Sequence, residues 1–425
     1  MRLRLDYGTS GLEVSLPDER VTVIKPVSTR AISDPASALM AALRDPVAGP
    51  PLKHVARHAR HVAISVCDIT RPQPRREMVE AVLHELKALH AIDVTILIAT
   101  GTHRGNSDRE LESMLGRYVL SSCRVVNHDS RDPGVLVDFG RIGGVPVLLN
   151  RLWLEADLRI TTGFVEPHFF AGFSGGPKMV APGLAGLETV MVLHDAKRIG
   201  HPSATWGVIE GNPVHDDIRR IARTTGVHFA IDVTLNEDKK ITGVFAGELF
   251  TEHRRACEAV RQSALREVAE PFDVVLTTNS GYPLDQNLYQ AVKGMSAASR
   301  VVKPGGIIIC AAECRDGLPD HGSYGTVLAS QPSPERLLEM IHTPGFSMPD
   351  QWQVQIQAQI QRKARVLVRA DGLSPDQVRK AHCEPIDDVE KTVRDVLQAR
   401  GPNSTLCVMP HGPQTIPVLA RDAHP

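Results

Sequence analysis

The fold is decided by residues 61–67, whose sequence HVAISVC is a short apolar run with several β-branched side chains. A run of this length and composition predicts a strand buried on both faces, as in a parallel sheet. A helical pattern follows from about Pro74 to His90, and residues 94–99, VTILIA, form a second strand pattern. This order of strand, helix and strand indicates an α/β fold with parallel strands.

The alternation continues through the rest of the chain. Further strand patterns lie at 124–126, 158–162 and 227–233, and helical patterns lie near 107–115, 186–198 and 214–225. After a charged, helix-like stretch at 251–270, strands at 273–278 and 306–311 flank a helix at 285–297. The tail contains helical patterns near 332–343, 349–364 and 386–399 and strand patterns at 365–369 and 404–409. We therefore predict two Rossmann-like α/β domains with mainly parallel sheets, residues 1–270 and residues 271–425.

The composition of the 425-residue chain is that of an ordinary globular protein, with 42% hydrophobic and 23% charged residues. A formal net charge of −1 provides no basic surface for nucleic acid or for an anionic membrane, so we expect neither as a partner. The seven cysteines are scattered and contain no C-x-x-C pair, which argues against a disulfide framework. No apolar stretch approaches the roughly 18 residues that span a bilayer. We expect a soluble cytoplasmic protein with a small ligand.

Three polar motifs follow strand patterns. Residues 68–72, DITRP, follow the first strand, residues 100–105, TGTHRG, follow the second, and residues 163–178 follow the strand at 158–162. In open α/β sheets, ligands bind beyond the carboxyl ends of the strands. We therefore expect the three motifs to converge on one crevice.

The third motif has the sequence GFVEPHFFAGFSGGPK and ends at Lys178. Its four glycines allow close approach of a ligand or positive φ angles, and lysine and histidine side chains act as nucleophiles, bases or metal ligands. The motif only superficially resembles a phosphate-binding loop, because Pro177 lacks an N–H and Met179 replaces the Ser or Thr that holds magnesium. Nucleotide hydrolysis is therefore not expected, and Lys178 is a candidate for a covalent or electrostatic role.

Individual side chains in the motifs allow a functional and a structural interpretation. Arg71, beside a carboxylate and a hydroxyl, suits a phosphate or carboxylate ligand, although the turn could simply cap a helix. His103 lies between glycines and can act as an acid or base near neutral pH, or it can be an ordinary surface residue. His168 and His194 are possible metal ligands, but their spacing matches no zinc motif, so the residues alone leave their role open.

Taken together, these motifs resemble the lactate racemase family of nickel-pincer enzymes. The segments that carry the resemblance are 68–72, 100–104, 166–178 and 193–195, followed by 289–294 (YQAVKG) and 350–353 (DQWQ). The resemblance implies a nickel-pincer nucleotide, pyridinium-3-thioamide-5-thiocarboxylic acid mononucleotide, attached to Lys178 through a thioamide. Its nickel would be held by one carbon and two sulfurs of the cofactor and by His194, since an imidazole nitrogen suits nickel.

The resemblance also implies roles for the other residues. His103 and His168 would be the catalytic pair, reaching the substrate from opposite sides. Asp68, Thr70 and Arg71 would join Lys178 in binding the cofactor. The residues implied to bind substrate are Arg71, Tyr289, Gln290, Lys293 and Trp352. The N-terminal domain would then carry the cofactor, the C-terminal domain would add substrate-binding residues, and the active site would lie in an interdomain cleft.

The implied reaction is racemisation or epimerisation at C2 of a small 2-hydroxy acid. One imidazole removes the hydroxyl proton as hydride leaves the α-carbon for the pincer, which gives a 2-keto acid, and hydride returns to the other face. Cofactor-synthesis proteins would be needed for maturation. The sequence leaves open whether the substrate is lactate, malate, a longer or aromatic hydroxy acid, or a sugar acid.

Two other functions compete with this interpretation. One is a non-catalytic carrier or sensor that binds a phosphate-containing ligand in the same glycine-rich crevice. The other is a metal-dependent epimerase that removes the α-proton directly, which would introduce solvent deuterium at C2. Internal return of hydride should largely prevent that incorporation.

Overall fold

The computed structural model describes residues 1–17, 19–89, 91–319 and 322–420. Its helices are α1 (Pro35–Arg44), α2 (Leu52–Val55), α3 (Arg75–Lys87), α4 (Asp108–Ser122), α5 (Arg151–Leu154), α6 (Leu187–Leu193), α7 (Ala196–Ile199), α8 (Pro213–Thr225), α9 (Leu249–Ala264), α10 (Leu288–Ser299), α11 (Tyr324–Ala329), α12 (Pro334–Ile341), α13 (Gln351–Lys363), α14 (Pro375–Lys380) and α15 (Val389–Arg400). Its strands are β1 (Arg2–Leu5), β2 (Leu12–Ser15), β3 (Val21–Val23), β4 (His61–Cys67), β5 (Asp93–Ala99), β6 (Arg124–Asn127), β7 (Leu136–Ile142), β8 (Val145–Asn150), β9 (Leu158–Phe164), β10 (Pro167–His168), β11 (Gly172–Phe173), β12 (Phe229–Leu235), β13 (Ile241–Gly247), β14 (Leu265–Val268), β15 (Phe272–Thr278), β16 (Val302–Ala311), β17 (Ala364–Arg369), β18 (Glu384–Pro385), β19 (Leu406–Met409) and β20 (Ile416–Leu419).

The chain divides by its internal contacts into two units. The N-terminal unit comprises Ser28–His194 and His201–Gln262, and the C-terminal unit comprises Met1–Val27, Asp195–Gly200 and the described residues from Ser263 onward. Both units are therefore assembled from segments that are separated in sequence. The predicted domain boundary near residue 270 and the predicted interdomain cleft remain predictions.

A six-stranded sheet forms the centre of the N-terminal unit, in the order β13-β12-β9-β4-β5-β6. Its strands are parallel except for β13, which pairs antiparallel with β12. Six of the seven residues of β4 are buried, as expected for an apolar strand covered on both faces. From β4 the chain proceeds to β5 and β6 on one side, and later to β9 and β12 on the other. The point where this order reverses is the usual ligand site of an open α/β sheet.

Apolar side chains from both strands and helices form the core of this unit. Ile64, Ile96 and Ile160 from neighbouring strands pack with Met78 of α3 and Leu39 of α1, and each is fully buried. Burial of one such side chain contributes roughly 1.5–3 kcal/mol relative to exposure. This packing fixes the strand ends that position the polar motifs.

The C-terminal unit contains a second six-stranded sheet, in the order β18-β17-β16-β15-β19-β3, and all of its neighbouring strands are parallel. Leu276, Ile309 and Val408 from its central strands pack with Val393 of α15 and with Leu5 of β1. The α/β class with largely parallel sheets is confirmed in both units. Across the described ranges, none of the helices has the combination of length and apolar character needed to cross a membrane.

Two predicted helices differ from the observed ones. The pattern at 251–270 ends as a helix at Ala264, and residues 265–268 form β14, which pairs with β20 more than a hundred residues later. The pattern at 186–198 is divided into α6 and α7 because Asp195 has extended φ and ψ angles and caps α7. The predicted helix from Pro74 to His90 is α3, Arg75–Lys87, and His90 lies outside the described residues.

Candidate functional site

The polar motifs follow three neighbouring strands at the centre of the N-terminal sheet. Asp68 directly follows β4, Thr100 directly follows β5, and β9 extends through Gly163 to Phe164. Beyond β9, the strands β10 and β11 form a short hairpin, and a 3₁₀ turn at Gly176–Met179 carries Lys178. All three motifs therefore lie at one edge of the sheet, on both sides of the point where the strand order reverses.

Asp68, which is buried, forms an acid–imidazole pair with the partly exposed His103. The distance from His103 Nδ1 to Asp68 Oδ2 is 2.6 Å, and the Asp68 carboxylate also accepts a 2.6 Å hydrogen bond from the Thr70 hydroxyl. Burial disfavours the ionised form, but His103, Arg71 and Thr70 together hold the pKa of the Asp68 carboxyl well below its usual range. Since a carboxylate accepts the Nδ1 proton, the lone pair of neutral His103 is on Nε2. His103 is thus arranged as a general base.

Arg71 continues this network. Its Nη1 donates a 2.9 Å hydrogen bond to the Thr70 hydroxyl, so Asp68, Thr70 and Arg71 are linked in series. Both Thr70 and Asp68 are buried, whereas Arg71 is partly exposed. A guanidinium held by its neighbours in this way is suited to binding a phosphate or carboxylate.

Arg75 supports the same turn and was missed by the sequence analysis. Its guanidinium is 6% exposed and donates hydrogen bonds of 2.6 Å to the carbonyls of Cys67 and Arg71, and another to the carbonyl of Asp68. Burial lowers the pKa of Arg75, but arginine remains charged in proteins. In sequence, Arg75 has no feature that separates it from a solvated arginine in the first turn of a helix.

Lys178 lies beside His168. Lys178 Nζ is 3.1 Å from His168 Nε2, and the backbone N–H of Ala171 donates to His168 Nδ1 at 3.3 Å. Because Nδ1 accepts, the proton of neutral His168 is on Nε2 and points to the lysine nitrogen. Burial, followed by the positive charge of Arg71, lowers the pKa of Lys178 to about 7. Near neutral pH a large fraction of the amine is therefore uncharged and nucleophilic.

Phe170 lies near Lys178, His168 and His194. The sequence analysis did not identify it as a site residue. The centroid of its ring lies 4.5 Å from that of His168 and 5.0 Å from that of His194, in both cases edge-on. Lys178 Nζ is 5.5 Å from the same centroid. A buried aromatic ring at this position excludes water from the space between the three polar side chains.

His194 forms the C-cap of α6 and is 3% exposed. Its Nδ1–H donates a 2.8 Å hydrogen bond to the carbonyl of Val190, so the lone pair of the neutral ring is on Nε2. Burial lowers the pKa of His194 to about 3. A neutral imidazole whose second nitrogen is fixed by a carbonyl is the form in which histidine binds a metal. Within the described ranges, no group of three or more His, Cys, Asp and Glu side chains is arranged to hold a metal ion.

The remaining predicted residues lie in the C-terminal unit and form a cluster of their own. Gln290 and Lys293 share one face of α10, and Lys293 Nζ donates a 2.7 Å hydrogen bond to Gln290 Oε1. Both are buried, so they do not lie on a solvated face of the helix. Trp352 Nε1 donates to the Tyr289 hydroxyl at 2.9 Å, and its ring is also buried.

The structure thus brings the predicted residues together in two groups. The N-terminal group links its members through hydrogen bonds and ring contacts: Asp68, Thr70, Arg71, His103, His168, Lys178 and His194. The charge of Arg71 acting on Lys178 joins the two halves of that group. The C-terminal group contains Tyr289, Gln290, Lys293 and Trp352.

Comparison with known proteins gives the family. Residues 7–207 match the lactate racemase N-terminal domain, and residues 268–417 match the lactate racemase C-terminal domain. A lactate racemase from Thermoanaerobacterium thermosaccharolyticum is 35% identical over 421 residues, which cover 97% of this chain and 98% of that protein. A lactate racemase from Lactiplantibacillus plantarum is 37% identical over 374 residues, with coverage of 87% and 88%.

Solved structures agree with this result. The lactate racemase apoprotein from T. thermosaccharolyticum matches with a TM-score of 0.91 and 34% identity, covering 98% of this chain and all of that one. A protein from Thermotoga maritima shares the fold, with a TM-score of 0.69 and 19% identity over 90% of this chain and 97% of that one. The chain therefore belongs to the lactate racemase family and is an isomerase of the racemase type.

Proposed function

We propose that the chain inverts C2 of a small 2-hydroxy acid by oxidation to the 2-keto acid and reduction from the other face. The proposal includes a nickel-pincer nucleotide attached covalently to Lys178. The observation that carries it is the 3.1 Å contact between Lys178 Nζ and His168, beside a second buried histidine. The proposed chemistry needs a nucleophilic amine, a metal ligand and a proton carrier close together.

The residues present fit the proposed cofactor. The amine of Lys178, with its pKa lowered to about 7, is suited to forming the covalent link. His194 is neutral and its lone pair is on Nε2, as a nickel ligand requires. Arg71 and the Thr70 hydroxyl are the donors that we assign to its phosphate. When bound, the cofactor supplies the acceptor and donor of the hydride.

His103 is assigned the removal of the substrate hydroxyl proton. Its lone pair is on Nε2, and the Asp68 carboxylate at 2.6 Å from Nδ1 stabilises the imidazolium that results. Asp68 remains ionised throughout, because its hydrogen bonds and neighbouring charges favour the carboxylate. Return of the proton from Nε2 regenerates the neutral ring.

We assign to His168 the transfer of the hydroxyl proton on the opposite face of the substrate. A neutral His168 ring has its proton on Nε2, whereas a neutral His103 ring has a lone pair there. The hydrogen bonds of the two histidines thus favour complementary neutral tautomers, one with an accepting Nε2 and one with a donating Nε2. Such a pair supports deprotonation of one enantiomer and protonation of the other.

The substrate carboxylate is assigned to Arg71, Gln290 and Lys293. Lys293 donates to the Gln290 amide oxygen at 2.7 Å, so the NH₂ group of Gln290 is the part that can donate to a carboxylate. The fixed tryptophan–tyrosine hydrogen bond gives Tyr289 and Trp352 a defined shape against which a substrate side chain can be selected. The interdomain location of the substrate site is likewise part of the proposal.

The proposal is tested by chiral analysis of 2-hydroxy acids incubated with cofactor-loaded protein in deuterated water. Lactate is the first substrate to try because the named relatives are lactate racemases; malate, aromatic hydroxy acids and sugar acids follow. We expect inversion with little deuterium at C2. Full incorporation of deuterium would instead support direct α-proton abstraction, and binding without inversion of any acid would support the carrier or sensor.

The proposed setting is the cytoplasm, where cofactor-synthesis proteins would load the chain. All seven cysteines are free thiols, and six of them are buried. Free thiols persist in a reducing compartment, which supports this location.

A further inference from the structure

Two buried acids that the proposed reaction does not use lie next to the Lys178 turn. Asp232 is on β12 and Glu252 is on α9, and their exposed fractions are 1% and 0%. Acidic side chains are almost never fully buried unless they have a partner. Both belong to the N-terminal unit, as Lys178 does.

Asp232 holds the backbone of the turn directly. Its Oδ2 accepts a 2.8 Å hydrogen bond from the backbone N–H of Gly176, two residues before Lys178. Gly175 and Gly176 have φ angles of 72° and 50°, the left-handed region that favours glycine. The turn therefore has an unusual backbone shape, and a carboxylate oxygen anchors it.

The surrounding glycines leave room for this carboxylate. In β9, Gly163 is the register partner of Asp232, and a Cβ atom at Gly163 would lie 2.1 Å from Asp232 Oδ1. A Cβ atom at Gly175 would lie 3.0 Å from Asp232 Oδ2. Two glycines of the motif at 163–178 thus accommodate one acidic side chain, which gives them a role besides contact with a ligand.

Glu252 is the second acid at this position, and its carboxyl oxygens, like one of Asp232, are buried without a donor among the described residues. Within the described chain, neither oxygen of Glu252 nor Oδ1 of Asp232 receives a hydrogen bond from any other group. Burial, and then the charge of Asp232 and a hydrogen bond to it, raise the pKa of Glu252 well above its usual range. A proton retained on Glu252 would give the Asp232 carboxylate a donor.

The titratable groups around the pair are a third acid, two thiols and a histidine. The charge of Glu248, which directly precedes α9, further favours protonation of Glu252. The thiols of Cys67 and Cys257 also face the pair, and both have pKa values raised mainly by burial. His253, next to Glu252, is within 2.9 Å of the Ser174 carbonyl through Nε2, so α9 contacts the same turn at a second point.

We propose that Asp232 and Glu252 share one proton and act as positioning residues that fix the Lys178 turn for attachment of the cofactor. The inference rests on the proposed function, because it takes Lys178 as the attachment site. Without the pair, the N–H of Gly176 loses its acceptor and the turn relaxes. The Lys178 amine then moves away from Arg71 and His168 and gains water, so it returns to the charged form.

The test uses the full-length apoprotein and acetic anhydride as an amine probe, so it requires no cofactor. A short pulse at pH 7 is followed by peptide mass spectrometry of Lys178. The variants are Asp232→Ala and Glu252→Ala, which remove the pair, and Glu252→Gln, which retains an N–H donor to Asp232. Glu258→Ala is the matched control, because Glu258 is an exposed acid on the same helix.

We expect both alanine variants to label at Lys178 at least about tenfold more slowly than the wild type, because a normal lysine pKa is near 10.4. Glu252→Gln and Glu258→Ala should label at the wild-type rate. In cells that make the cofactor, the fraction of Lys178 that carries it should be lower in the two alanine variants than in the wild type, Glu252→Gln and Glu258→Ala. Circular dichroism checks that each variant is folded.

Folded alanine variants that label as fast as the wild type would overturn the proposal. An equal loss of Lys178 labelling rate in Glu252→Gln and Glu252→Ala would overturn it too, because the glutamine retains the required donor. This comparison holds even if Asp232→Ala does not fold. Failure of the proposed function is a separate result: wild-type Lys178 would label rapidly at pH 7 and yet never carry the cofactor. The labelling order of the variants would still decide the positioning role in that case.

Discussion

At the residue scale, the most specific feature is the environment of Lys178. Burial and the charge of Arg71 bring its pKa to about 7, whereas an exposed lysine titrates near 10.4. We expect the pH profile of Lys178 acetylation to have its midpoint near pH 7. Lys197, on the short helix α7, is the internal comparison in the same digest. A midpoint for Lys178 that coincides with that of Lys197 would contradict the assigned environment.

Asp68 provides a second prediction at this scale. An asparagine at this position has no negative charge to stabilise a protonated His103, and its NH₂ can donate to Nδ1 and reverse the tautomer. We expect Asp68→Asn to lower kcat by roughly two to four orders of magnitude, by analogy with other carboxylate–histidine pairs. The variant should still carry an adduct on Lys178, which mass spectrometry checks. Activity within threefold of the wild type would show that the pair is structural.

Some site residues could be predicted from sequence and others could not. His103, His168, Lys178 and His194 lie in motifs with unusual glycine content or family resemblance, and the structure brings them into one network. Phe170 lies inside the same motif but looks like any core aromatic residue. Whether a side chain touches two histidines is a property of the folded chain, so no local pattern reveals it.

At the scale of elements, the turn between β4 and α3 depends on Arg75. Its guanidinium donates to the carbonyls of Cys67, Asp68 and Arg71, and Arg75→Ala removes these three hydrogen bonds from a largely buried turn. We expect this substitution to cost about 2–4 kcal/mol in the free energy of unfolding, measured with urea. Arg76→Ala, at an exposed position in the same helix, should cost less than about 0.5 kcal/mol. Equal effects of the two substitutions would be inconsistent with this role.

The contact of β12 and α9 through Asp232 and Glu252 gives a prediction about pH. Burial is the main cause that raises the pKa of both Asp232 and Glu252 above the usual range of a carboxyl group. Above about pH 4, the folded chain therefore binds more protons at these two acids than the unfolded chain does. As a result, the free energy of unfolding falls as the pH rises. We expect the Tm of Glu252→Gln, relative to wild type, to increase between about pH 5 and pH 8. A difference that stays constant with pH would count against a shared proton.

Elements were predictable where the signal is local. Strand β4 coincides with the predicted 61–67, because a buried parallel strand needs only an apolar run. Strand β14 was predicted as helix, since its partner β20 is distant in sequence. The break between α6 and α7 depends on an aspartate cap, which a helical periodicity does not register.

At the scale of the whole molecule, the sequence predicted the α/β class but not the way in which segments are assembled. Strand β3, from residues 21–23, completes the sheet of the C-terminal unit by pairing with β19. Pairing between such distant segments leaves no local pattern in either of them. The family match covers both units, so one chain carries both the proposed cofactor residues and the proposed substrate residues.

The central claim is that a nickel-containing nucleotide is attached to Lys178. The most direct measurement is intact and peptide mass spectrometry with nickel analysis, on protein expressed together with a cofactor-synthesis pathway. We expect an adduct on the Lys178 peptide and a matching amount of nickel, and neither in Lys178→Arg. Unmodified Lys178, while a known lactate racemase is loaded in the same cells, would contradict the account.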